Sequence, residues 1–70
     1  MSAIAQAPRT YNVAVGLLNL LGNALKMVDE LEEAAYEEEM VSFIFVARDL
    51  RKRIKENYDY LERIIKTSFG

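Results

Sequence analysis

The sequence predicts an all-α protein: an antiparallel two-helix hairpin, over about residues 10–36 and 38–67, that self-associates into a dimeric four-helix bundle. Three observations carry that expectation. Apolar residues recur at helical spacing from Val13 to Ala35 and again from Met40 to Ile65. The two stripes are out of phase by two residues, so no single coiled-coil seam serves both. Half of the chain, 51%, is hydrophobic, although it is only 70 residues long. A two-helix unit of that size cannot bury so much apolar surface within itself, so a second copy or a partner is expected.

Residues 1–9 read as an N-terminal arm, and residues 10–70 as one helical-hairpin domain. Pro8 precedes the first periodic residue, and Thr10 or Asn12 offers an N-cap side chain. In the first helix Ala14, Leu17, Leu21, Ala24, Val28, Leu31 and Ala35 fall on heptad positions a and d. Val13, Leu20, Met27 and Ala34 lie beside them at g, and Leu18 and Leu25 at e. A stripe that wide suits a helix with two neighbours rather than one. Gly16 and Gly22 each cost about 1 kcal/mol relative to alanine in a helix, which close approach of another backbone would offset.

The second helix places Met40, Phe43, Ala47, Leu50, Ile54, Leu61 and Ile64 at a and d, with Asn57 at a d position between Ile54 and Leu61. A polar residue in such a stripe can fix register or oligomer state. Its outer face carries the i,i+4 pairs Lys52–Glu56, Lys55–Asp59, Asp59–Arg63 and Glu62–Lys66. Thr67 to Gly70 end it. The junction carries no Gly or Pro. A tight turn near Tyr36–Glu39 would place three glutamates in the first turn of the second helix, where the helix dipole favours acids. It would also bring Asp29 close to Arg48, and Lys26 to Asp49. A single long helix, kinked or straight, is the competing architecture.

Charge is small in total, −2, but unevenly spread. Residues 1–39 hold Arg9 and Lys26 against seven acids, and residues 40–70 hold seven bases against four acids. That split suits complementary helices better than a polyanion binder. The chain has no cysteine and no histidine, which removes disulfides, thiolate chemistry, the commonest general base and the commonest metal ligand. No Gly-rich phosphate loop and no nucleophile with a base are in view. The expectation is therefore a protein that is not an enzyme and needs no cofactor or metal. Met1 to Ala7 lacks the pattern of a signal peptide, and Val13 to Leu25 is too short and too interrupted to span a bilayer, so a cytoplasmic location without membrane contact is expected.

Two segments are candidates for recognition. Met40, Val41, Phe43, Ile44 and Phe45 lie in a run that is hydrophobic all round the helix, as an interface requires. This points to an accessory subunit or adaptor that binds itself and another protein. Arg48, Arg51, Lys52 and Lys55 form a basic cluster, and the alternative is a small regulator that contacts nucleic acid through it. Asp49, Glu56 and Asp59 are interleaved with those bases, which favours an ordinary solvated helix face.

Overall fold

The computed structural model describes residues 8–70. They form two long helices, α1 (Arg9–Glu37) and α2 (Val41–Phe69), packed antiparallel along their length. The hairpin is therefore the architecture, and the single continuous helix is not. Of the N-terminal arm, residues 1–7 lie outside the described residues, and Arg9 already belongs to α1.

Both helices start later or earlier than the sequence suggests, for local reasons. Pro8 immediately precedes α1; its φ of −57° and extended ψ of 151° set the entry, and its carbonyl accepts from the Asn12 amide at 3.2 Å. Thr10 and Asn12 thus lie inside the helix, and no side chain caps it. α2 starts at Val41, so Glu37 closes α1 and Glu38 and Glu39 occupy the turn; its first turn holds no acid. It runs on through Thr67 and Ser68, with the Thr67 hydroxyl donating to the Arg63 carbonyl at 2.8 Å, and the Gly70 amide bonds Lys66 O.

The turn is a helix C-terminal motif closed by two backbone bonds. The Met40 amide donates to Ala35 O at 2.8 Å, and the Glu39 amide to Tyr36 O at 3.3 Å. This is the six-to-one and five-to-two pairing of a Schellman cap, and it requires a left-handed residue at its centre. Here that residue is Glu39, with φ of 57°. Met40 packs back over Ala34, Ala35 and Leu31, which line a cleft with Phe43, supplying the apolar contact that usually accompanies the motif. At the open end of the hairpin, Tyr11 and Phe69 meet edge to face with ring centroids 5.2 Å apart.

Glu39→Gly removes the left-handed penalty on a side chain and should stabilise the hairpin by about 1 kcal/mol. The expected result is a rise of several degrees in the thermal midpoint followed by circular dichroism. A fall would show that the turn is not built this way.

Candidate functional site

Among the described residues, only Val28 and Ala35 of α1 and Ile44 and Ala47 of α2 are buried, and two of these four are alanines. All four lie in the half of the hairpin nearest the turn. Towards the other end the helices touch through half-buried residues, among them Leu18, Leu21, Leu25, Ile54, Tyr58, Leu61 and Ile65. Gly22 faces the Tyr58 ring, and a Cβ there would meet Tyr58 Cε2 at 3.5 Å, an ordinary contact. A Cβ on Gly16 would meet nothing within 4 Å. Close backbone approach therefore explains neither glycine within the single chain.

The two sides of the seam between the helices differ in kind. One side is closed by charge. Arg51 bonds both Asp29, at 3.0 Å, and Glu32, while Arg48 bonds Glu32 at 3.2 Å and the Tyr36 hydroxyl. The Arg48 guanidinium also lies 5.8 Å from the Tyr36 ring centroid. The hydrogen bond from Arg51, seconded by that from Arg48, holds the Glu32 carboxyl below its ordinary value of 4.5 against the opposing effect of desolvation. Arg48 thus pairs one helical turn further along than the expected partner Asp29, and no Lys26–Asp49 pair forms; Asp49 bonds Arg53 instead, at 2.9 Å. Of the expected i,i+4 pairs on α2, Lys55–Asp59 forms at 3.0 Å.

The other side is apolar and open. On α1, Val13, Leu17, Leu20, Ala24, Met27, Leu31 and Ala34 make an unbroken stripe of alternating four- and three-residue steps beside the buried seam. Val13, Leu20 and Met27 remain 59%, 65% and 64% exposed. On α2, Phe43, Leu50, Asn57 and Ile64 recur every seven residues, with Val46 and Tyr60 beside them; all are exposed. Clefts on this side join the two helices. One is lined by Leu17, Leu21, Asn57, Tyr60, Leu61 and Ile64, another by Arg9, Thr10, Val13, Ala14, Leu17 and Leu61. Sequence reasoning registered the width of the first stripe but missed that its g and d columns face away from α2.

The recognition candidates separate. Ile44 is buried against α1 and belongs to the hairpin core. Met40 and Phe43 lie at the turn end of the open apolar face. Val41 and Phe45, 58% and 63% exposed, project on neither the seam nor that face; helical spacing sets them in line with Arg48 and Lys52. Among the basic candidates, Arg48 and Arg51 are engaged with acids across the seam and Lys55 with Asp59. Lys52 is exposed and makes no ion pair among the described residues. Among those residues, no group of three or more acids converges as a metal site would require, and no helix is long and apolar enough to cross a membrane. No known family model matches the chain, and neither the curated proteins nor the solved structures yielded a match.

Because the folded-state value of Glu32 is depressed, its contribution to stability is complete above its ordinary range and is lost as pH falls through the lowered value. Glu32→Gln should therefore lower the midpoint near neutral pH and flatten its decline as pH falls through and below the ordinary value of 4.5. An acid limb of unchanged slope in the variant would show that the Arg48–Glu32–Arg51 cluster does not contribute to stability.

Proposed function

We propose that this protein is a non-enzymatic helical interaction module that covers its open face with a second copy, forming a dimeric four-helix bundle, and acts as an accessory subunit or adaptor for another protein. The observation that carries the reading is the unequal treatment of the seam: one side closed by arginine–carboxylate pairs, the other left as a continuous apolar surface. Monomeric proteins rarely expose a contiguous apolar patch on that scale. The stripe from Val13 to Ala34 is roughly 30 Å long, and two packed helices are about 20 Å across with side chains. The face thus offers roughly 600 Å² per copy, near the lower bound of a stable, specific interface.

A bundle also remedies the deficit of the single hairpin. Burying one leucine-sized side chain contributes about 1.5–3 kcal/mol, and Val13, Leu17, Leu20, Met27, Phe43, Leu50 and Ile64 are all exposed in the lone chain. Val41 and Phe45 stay outside the bundle contact and provide the surface for a different protein. The nucleic-acid alternative draws less support, since Arg48 and Arg51 already neutralise Asp29 and Glu32 and so have less charge to offer phosphate.

In sedimentation at micromolar concentration the chain should run as a dimer. Leu17→Glu or Leu50→Glu should shift it to a monomer of lower helicity, since a charge in the apolar contact costs several kcal/mol. A wild-type monomer with full helicity would overturn the reading. Phe45→Glu should leave the dimer intact and abolish retention of whatever protein the tagged wild type retains from its host; unchanged retention would dismiss Phe45 as the docking site.

A further inference from the structure

We propose that the second copy docks on the open face with its turn at the opposite end of the bundle, on a two-fold axis that passes between the two Asn57 side chains. This rests on the bundle reading and fixes its geometry. The cross-helix pairs Tyr11–Phe69, Gly22–Tyr58, Asp29–Arg51 and Glu32–Arg48 are all symmetric about the turn, so levels along the hairpin follow by counting. The open stripe of α1, Val13 to Ala34, has its midpoint between Asn23 and Ala24, and the residue of α2 level with Asn23 is Asn57. Asn57 is thus the polar residue at the centre of an otherwise apolar face.

A two-fold axis through that level, lying in the plane of the face, sets α1 against α1 and α2 against α2 of the second copy, antiparallel. Along α1 the apolar positions then meet apolar ones, while Phe43 of α2 projects beyond the end of the second copy's α2. Val13 lies opposite Ala34 of the second copy, Leu17 opposite Leu31, Leu20 opposite Met27, and Ala24 opposite Ala24. On α2, Leu50 lies opposite Ile64 and enters the cleft lined by Leu17, Leu21, Asn57, Tyr60, Leu61 and Ile64. Arg53 comes beside Tyr60, where its guanidinium can stack on the ring. Asn57 meets itself. Its Nδ2 donates to the Arg53 carbonyl of its own helix at 3.0 Å, which leaves one N–H and the Oδ1 to exchange hydrogen bonds with the second Asn57. Such a pair satisfies the amides only in this arrangement, which is how a buried asparagine selects orientation.

Turning both hairpins to the same end instead sets Asn57 between Leu20 and Met27 of the second copy, with Asn23 level with it but turned toward the edge of the face. It also brings together two turns that each carry Glu37, Glu38 and Glu39. That arrangement gains a Glu30–Arg53 pair between copies, but an exposed ion pair contributes at most about 1 kcal/mol, and the reciprocal Asn57 pair at the centre of the face is lost. Charge favours opposite ends too. The half nearest the turn is net acidic, and the far half, with Arg9, Arg63 and Lys66 against Asp59 and Glu62, is net basic.

The chain has no cysteine, so Glu38→Cys on the exposed turn carries a single spin label whose pair distance in the dimer reads the orientation. Opposite ends give roughly 50 Å, from the rise of 1.5 Å per residue over the helices; the same end gives about 20 Å, set by the spacing of helices across a bundle. With the turns at opposite ends, Asn57→Cys should oxidise to a covalent dimer. A long distance together with that cross-link is the expected result. A dimer with the short distance overturns this geometry and leaves the bundle reading standing, whereas a monomer by sedimentation removes both.

Discussion

The constraint on this structure is apolar burial, of which the single hairpin provides little. Two helices in contact can each cover one stripe, and here each helix carries more apolar surface than its partner can reach. Val28, Ala35, Ile44 and Ala47 are buried, all near the turn, while the rest of the seam stays half open. Folding a chain of this size costs conformational entropy that four small or medium side chains do not offset. Under the proposed reading, the remaining stabilisation comes from the face that includes Leu17, Leu20, Met27, Leu50 and Ile64 when a second copy covers it.

The charged side of the seam contributes differently. Arg48, Arg51, Asp29 and Glu32 sit at the surface, where ion pairs contribute little to stability individually. Their consequence is directional: they set the register of α1 against α2 and make one side of the hairpin unattractive to apolar partners. With that side closed, the proposed association uses the other. The same pairs occupy the basic residues that would otherwise be the strongest argument for a polyanion partner.

The two helices and their hairpin arrangement were legible in the sequence because period and phase survive any error in the turn. The turn itself was placed one to two residues too early, and the start of α2 three residues too early. A left-handed residue at a helix C-terminus is usually glycine, and Glu39 in that position gives no signal. From that error followed the wrong ion pairs, Asp29–Arg48 in place of Asp29–Arg51 and Glu32–Arg48, and the wrong start of α2. The division of the first stripe was illegible for another reason. Leu, Val, Met and Ala occupy the e, a, d and g columns of α1 alike, so nothing in residue type says which columns face α2 and which face outward. Only the register imposed by the turn and the arginine cluster decides that. The apolar start of α2 was visible as unusual, but its split into a core residue, Ile44, a face residue, Phe43, and the outlying Val41 and Phe45 required the helix positions.

The account makes folding and association one event. The most direct test is thermal unfolding of the wild-type chain by circular dichroism over a hundredfold or wider range of concentration. If the open face is covered by a second copy, the midpoint rises with concentration as mass action requires, and helicity falls when the chain is diluted below its dissociation constant. A midpoint independent of concentration, with helicity retained on dilution, would contradict it and show that the hairpin stands alone.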